Sequence, residues 1–373
     1  MNDAQGVCRA HYQEFSRWLA NTPPELLAQR RREADLLFHR AGITFTLYGD
    51  EQDTERLIPF DIIPRSIPAS EWSVIERGCI QRVNALNMFL ADIYHDQRII
   101  KAGIIPADQV LGNEGYQKAM VGLDLHRDIY SHISGVDLVR DGDGTYYVLE
   151  DNLRTPSGVS YMLEDRKMMM RLFPEVFAKQ RIAPVDHYPN LLLKTLKSSS
   201  RLDNPNVVVL TPGRFNSAFF EHAFLAREMG VELVEGADLF VHDHKGFMRT
   251  TDGPRAVDVI YRRIDDAFLD PQAFNPDSML GVPGLVAAYC AGNVVLANAI
   301  GTGVADDKSV YPCVTVMTRF YLDDEPLLPT VPTFKCRKPD DLSHVLPNLP
   351  DLVVQATQAA ARNAGWVGPA PTP

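Results

Sequence analysis

Between Gly135 and Tyr161 the chain reads GVDLVRDGDGTYYVLEDNLRTPSGVSY, and its Asp141-Gly142-Asp143-Gly144 tetrad separates two short runs of β-branched, aromatic and aliphatic residues. Gly and Asp in that arrangement are a reverse-turn signal, so the two runs pair as a hairpin. Side chains on a strand alternate faces, and the length of the turn therefore decides which residues share a face. A two- or four-residue connection centred on Gly142 and Asp143 sets Asp137 opposite Val148 and turns Asp137, Glu150 and Asn152 to one side. A three- or five-residue loop sends Asp137 to the other face.

Two carboxylates and an amide oxygen on one face suit a hard cation. Mg²⁺ prefers oxygen ligands, accepts few from protein, and completes its shell with water and phosphate. Arg154 adds a planar fork for a phosphate or carboxylate. Pro156, Ser157 and Gly158 end the strand and open a loop whose backbone N–H groups can face an anion. The competing reading is an ordinary exposed hairpin kept soluble by its charges. The contiguity of the acid, the E-x-N pair and the R-x-P-S-G run favours a site. An EF-hand is excluded: counted from Asp141, the loop position that needs Gly holds Tyr146, and the position that needs Glu holds Asn152.

Four further segments stand beside this one: RLIPFDIIPRSIPASEWSVIERGCIQRVNALNMFLADIYHDQ (Arg56–Gln97), VVVLTPGRFNSAFFEHAFLAREMGVELVEGADL (Val207–Leu239), VDVIYRRIDDAFLDP (Val257–Pro271) and GNVVLANAIGTGVADDKSVY (Gly292–Tyr311). With the hairpin, they make the chain resemble the circularly permuted ATP-grasp proteins, specifically the bacterial group labelled glutathionylspermidine-synthase-like. The resemblance implies a mixed α/β fold, ATP and Mg²⁺ as cofactors, and Asp137, Glu150 and Asn152 as metal ligands. It implies an ADP-forming carboxylate–amine ligase working through an acylphosphate. Arg154 and Arg262 would be catalytic, and Arg154, Ser157, Gly158, Gly301 and Gly303 would contact the cofactor. The partners would be a small molecule or peptide bearing a carboxylate, and an amine acceptor.

The chain has 373 residues, enough for two or three domains. Its net charge of −11 argues against a nucleic-acid binder, while a bound Mg²⁺ and a few arginines can still hold phosphate. Cys8, Cys79, Cys290, Cys313 and Cys336 are scattered without C-x-x-C spacing, which implies neither zinc nor a disulfide framework and fits a reducing cytoplasm. The N-terminal MNDAQGVCRAHYQEF lacks the apolar stretch of a signal peptide. No apolar run is long enough to span a membrane.

Residues 8–40 carry helical periodicity, with short strands expected at Ile43–Leu47 and Leu57–Phe60. A long helix is expected from Ser70 to about Ile100, with Ile80, Val83, Leu86, Leu90 and Ile93 as its apolar stripe. Gly103–Gly115 reads as loop, and a Met-rich helix follows the hairpin and ends before Pro174. After Pro184, Val207–Leu210 reads as a buried parallel strand, Phe215–Gly230 as a helix with a Gly cap, and Val231–Val234, Val257–Tyr261 and Val294–Ala297 as further strands of an α/β layer. The expected organisation is a helical N-terminal region with short strands (1–120), a metal-binding hairpin and helix (121–200), an α/β pre-ATP-grasp-like domain (201–335), and a remnant of the ATP lobe with a disordered tail (336–373).

Arg262 and Arg263 follow the strand VDVIY, where α/β sheets commonly place ligands. A surface Arg–Asp network with Asp265 and Asp266 is the alternative. Gly301-Thr302-Gly303 is a lone G-x-G that would allow close approach of a ligand. Asp306, Asp307 and Lys308 read as a solvated helix start, and His242-Asp243-His244 as an exposed turn. In the resembling family, a strand like Asp351–Val354 is followed by a lysine and a glycine-rich loop. Here Gln355 and an Ala- and Pro-rich tail follow, which implies a C-terminal truncation. The alternatives to an active ligase are an inactive relative that serves as a binding protein, or a chain whose missing lobe comes from a partner protein.

Overall fold

Val207–Leu210, Glu232–Val234 and Val259–Arg262 form a parallel ladder, with Val207–Leu210 between the other two. All four residues of Val207–Leu210 are buried, as expected for a strand covered on both faces. The helices Tyr188–Ser198 and Phe219–Met229 pack against this strand. Phe219–Met229 ends at Gly230, whose φ of 69° is the left-handed cap that glycine adopts without a Cβ clash. Beyond Val259–Arg262, the Val295 N–H donates to the Asp258 carbonyl.

The computed structural model describes residues 1–2, 5–42, 44–46, 55–57, 60–355, 357 and 365–367. The chain divides into two compact units, each assembled from two separated segments: Met1–Trp72 with Ser157–Val295, and Ser73–Pro156 with Leu296–Pro373. In the first unit the helices Gln13–Ala20, Pro24–Ala41, Val159–Leu172 and Pro174–Lys179 enclose an apolar core that includes Phe15, Phe38, Met168, Met169 and Phe173. Glu175 ties its edge by accepting from Trp18 Nε1 at 2.9 Å and pairing with Arg30 at 2.7 Å. A three-stranded antiparallel sheet, Leu239–His242, Lys245–Thr250 and Gly253–Val257, completes this unit. Its first turn is Asp243-His244, both at positive φ, the two-residue hairpin geometry. The His-Asp-His motif is therefore a turn, as its sequence suggested. None of these three strands was expected from the sequence, and the last, Gly253–Val257, stops one residue before Val259–Arg262 begins.

The second unit is organised on the helix Ala69–Tyr94. Its buried face runs through Ile75, Gly78, Arg82, Leu86, Phe89 and Ile93, while Ile80 is 56% exposed. The expected stripe holds at Leu86, Leu90 and Ile93, which are fully buried, and fails at Ile80: Gly78 and Arg82 take the inner face there, and neither looks apolar in a hydropathy pattern. Gly78 is needed there, since a Cβ would fall 2.4 Å from Leu328 Cγ. The presumed loop after Gly103 contains the short helix Ala107–Leu111. The C-terminal tail contains a strand, Gly365–Val367, paired antiparallel with Val353–Gln355. Most of the remaining tail, together with parts of the two short strands expected near residues 43–60, lies outside the described residues. Among the described residues, no helix is long and apolar enough to cross a membrane.

Candidate functional site: the hairpin Gly135–Asn152 and the turn that meets it

The hairpin consists of Gly135–Arg140 and Tyr146–Asn152. Arg140 pairs with Tyr146, leaving five residues, Asp141–Thr145, in the connection. The loop is closed by Asp141 N–H donating to Thr145 O and Gly144 N–H donating to Asp141 O. Asp143 stiffens it by accepting from the Thr145 N–H and hydroxyl, contacts that hold its carboxyl below the usual range. An odd connection alone would send Asp137 to the face away from Glu150. A register shift after Asp137 reverses this: Leu138 pairs with Val148, while Asp137 pairs with Glu150 and Gly135 with Asn152. Leu149 is the extra residue of this β-bulge and is 48% exposed. The expected pairing of Asp137 with Val148 is thus incorrect, and the shared face of Asp137, Glu150 and Asn152 comes from the bulge.

The opposite face of the hairpin is packed. Val136, Leu138, Tyr146 and Val148 meet Cys79, Tyr311 and Leu328. Asp151, between Glu150 and Asn152, points into this side and receives the Arg82 guanidinium through Nε at 2.7 Å and Nη2 at 2.6 Å. Arg82 also lies over the Tyr311 ring. Burial pushes the Tyr311 phenol up to about 12, and its hydroxyl donates to the Val148 carbonyl. Asn298 fixes the ends of the hairpin. Its Oδ1 accepts from the N–H groups of His132 (2.7 Å) and Ile133 (2.9 Å), and its Nδ2 donates to the carbonyls of Ile133 and Leu153, both at 2.6 Å. Every polar atom of the Asn298 amide is used to align backbone, a role that no motif in the sequence announces.

On the outer face, Asp137 is exposed and Glu150 is partly buried. Asn152 Nδ2 lies 3.5 Å from Glu150 Oε1. The Glu150 carboxylate is also met by the Lys308 ammonium, with 30% of the Glu150 and 31% of the Lys308 side chain exposed. Two residues earlier, Asp306 accepts from the Leu153 N–H and from Arg154 Nε at 2.8 Å. Burial pushes the Asp306 carboxyl up, and the Arg154 guanidinium opposes that shift. The turn 305–309 is therefore part of the site and not a solvated helix start. Local sequence carries little signal for this, because Glu150 and Lys308 are 158 residues apart and each reads as ordinary surface charge.

The remaining candidates fall as follows. The Arg154 side chain is 14% exposed and held by Asp306. Gly301 and Gly303 are buried, and the close approach they allow is taken up by protein. A Cβ on Gly301 would lie 2.2 Å from the Tyr94 hydroxyl, and one on Gly303 would lie 2.8 Å from Arg154 Cδ. Ser157, Gly158 and Arg262 belong to the first unit. There the N–H groups of Gly158 and Ser160 face an anion, as the loop suggested, and that anion is Glu221, which also accepts from the Ser160 hydroxyl. Glu221 is fully buried and paired with Arg263. Arg262 is likewise fully buried, bonded to Asp266 at 2.7 Å and the Ile264 carbonyl at 2.9 Å. The Arg–Asp cluster is thus an interior network and not a surface one.

Among the described residues, no three His, Cys, Asp or Glu side chains converge as a metal centre. Asp137, Glu150 and Asn152 offer two carboxylates and one amide oxygen. This donor set fits a hard divalent ion that takes its other ligands from phosphate and water.

A family model described as "a circularly permuted ATPgrasp" matches residues 64–372. The chain belongs to the circularly permuted ATP-grasp family. It is 50% identical over 358 residues to an uncharacterized protein of Synechocystis, covering 95% of this chain and 74% of that one. It is 48% identical over 371 residues to an uncharacterized protein of Mycobacterium tuberculosis, covering 99% and 67%. A Frankia casuarinae protein provisionally named a glutamate–cysteine ligase is 39% identical over 373 residues, covering 98% of this chain and 43% of the relative. Among solved structures, an apo glutathione synthetase-like effector from Globodera pallida superposes with a TM-score of 0.51 at 11% identity, covering 81% and 69% of the two chains. At that identity the likeness concerns the fold.

Proposed function

We propose that the chain acts as a carboxylate–amine ligase of the ATP-grasp type. The observation that carries this reading is the shared outer face of Asp137, Glu150 and Asn152 on the hairpin of a permuted ATP-grasp chain. Ligase chemistry is supported by relatives named as glutamate–cysteine ligases. The substrates are ATP, a small molecule or peptide with a free carboxylate, and an amine, of which the narrower glutathionylspermidine-synthase-like grouping is one instance. The setting is the cytoplasm, where ATP and Mg²⁺ are abundant.

In this reading the substrate carboxylate attacks the γ-phosphorus of ATP, releasing ADP and forming an acylphosphate. The amine then attacks the acyl carbon, phosphate leaves, and a proton is lost as the amide forms. Asp137, Glu150 and Asn152 would hold Mg²⁺, which neutralises phosphate charge when bound. The bulge aims Asp137 across the strand pair at Glu150, and the Asp151–Arg82 anchor holds both neighbours of Asp151 outward. Such preorganisation keeps the donors in place while charge develops on the phosphoryl oxygens. Arg154, fixed by Asp306, sets a positive charge beside the hairpin exit.

The test is ADP release that requires Mg²⁺, a carboxylate substrate and an amine together, and that Glu150→Ala abolishes. Undiminished turnover in Glu150→Ala would rule out the hairpin as the metal site. One observation favours a second reading, a binding protein without catalysis: Glu150 is already engaged by Lys308. Saturable binding of a carboxylate ligand with no ADP release under any substrate pair would select that reading.

A further inference from the structure

The Lys308 ammonium is paired with the Glu150 carboxylate. It reaches Glu150 from a turn whose other end is pinned to the hairpin by Asp306, through the Leu153 N–H and Arg154. The Lys308 backbone is therefore fixed close to Glu150, while its four-carbon stem can swing. The ammonium and the presumed metal have the same target, the Glu150 carboxylate, and like charges held that close repel strongly in a partly buried site. A long flexible cation on a metal-ligand carboxylate has a simple physical use: it neutralises Glu150 beside the Asp137 carboxylate when no metal is present, and it can leave.

Resting on the ligase reading above, we propose that Lys308 is a placeholder cation at the metal site. It occupies Glu150 in the metal-free chain, yields that carboxylate to the divalent ion, and transfers its ammonium to the phosphate oxygens that arrive with the ion. The exchange makes metal and nucleotide binding mutually dependent. Metal alone must displace the lysine with nothing to receive it. Metal together with a polyphosphate gives the displaced ammonium a new anionic partner. Lys308 is thus a positioning residue that favures loading of the metal–nucleotide pair over the bare ion.

Replacing Lys308 should change the two affinities in opposite directions, which a merely structural residue would not do. The probes are Mn²⁺ alone, followed by the free-ion paramagnetic resonance signal, and ATP with Mg²⁺, followed by calorimetry, on the whole chain. Lys308→Met should bind Mn²⁺ alone roughly five- to tenfold more tightly and Mg²⁺–ATP roughly tenfold more weakly, each on the order of one charge interaction in a partly exposed site. Lys308→Arg, which keeps the charge, should restore most of both. If Lys308→Met weakens or leaves unchanged the binding of Mn²⁺ alone, the placeholder role is wrong. If Glu150→Ala binds Mg²⁺–ATP as tightly as the wild type, the underlying metal-site reading is wrong instead.

Discussion

Replacing Arg82 by Met tests what holds the hairpin in place. Arg82 and Asp151 have only 6% and 1% of their side chains exposed, and two N–H···O bonds of 2.7 and 2.6 Å join them. Arg82 also donates to Thr330 Oγ1 at 3.3 Å. Met fills much of the same volume, so the main loss is the partner of a buried carboxylate. Removing one member of a buried, hydrogen-bonded pair costs about 3–5 kcal/mol, because the remaining charge is stranded. At roughly 2–4 °C per kcal/mol for a unit of this size, the thermal midpoint of the second unit should fall by about 10 °C. Scanning calorimetry and urea unfolding measure it. Arg82→Met/Asp151→Leu should recover most of the loss, because replacing both charges by apolar groups removes the stranded one. A loss below about 1 kcal/mol in the single variant would refute the anchoring role, since it would mean Asp151 is readily solvated.

Other expectations follow from the same physics. Glu221→Gln should cost about 3 kcal/mol by urea unfolding, since Arg263 then lies buried beside a neutral amide. Burial lowers the His222 pKa to about 3, while its Nδ1 lies 2.8 Å from Thr211 Oγ1. The unfolded imidazole takes up its proton near 6.5, so between that pH and about 3 the unfolded chain binds more protons and stability falls as pH falls. Unfolding at pH 5 should show about 2 kcal/mol less stability from this residue than at pH 7, and His222→Gln should flatten the dependence. Asp165 has a buried Oδ1 without a hydrogen-bond partner among the described residues, and burial raises its pKa to about 6. A raised carboxyl favours folding at low pH and costs stability once it ionises. Asp165→Asn should therefore stabilise the chain at pH 7 by about 1 kcal/mol, after allowance for solvent screening. Gly301→Ala should destabilise by about 2–4 kcal/mol by thermal melting, because its φ is 81° and its Cβ would meet the Tyr94 hydroxyl.

How far these features could be read from the sequence depended on how local their causes are. The Asp-Gly-Asp-Gly turn, the buried strand Val207–Leu210 and the Gly230 cap each arise within a few residues, and all three were legible. The face of Asp137 depended on loop length and bulge together, and only the bulge at Leu149 brings Asp137 opposite Glu150. Pattern reasoning at Gly301 and at Ser157–Gly158 detected close approach and an anion, but could not tell that the occupants are Tyr94 and Glu221. Lys308 and Asp306 escaped because contacts across about 150 residues leave no mark on local periodicity. Ile80 misled because an exposed isoleucine and a buried Arg82 reverse the usual hydropathy rule, the latter stabilised by its two hydrogen bonds to Asp151.

The most direct test of the central claim is calorimetric titration of the chain with ATP in the presence of Mg²⁺, with Glu150→Ala and Asp137→Ala titrated alongside. The ligase reading predicts saturable binding by the wild type that requires Mg²⁺ and weakens at least tenfold in each variant, about 1.4 kcal/mol or more. Equal binding by all three proteins, or none by the wild type, would contradict it.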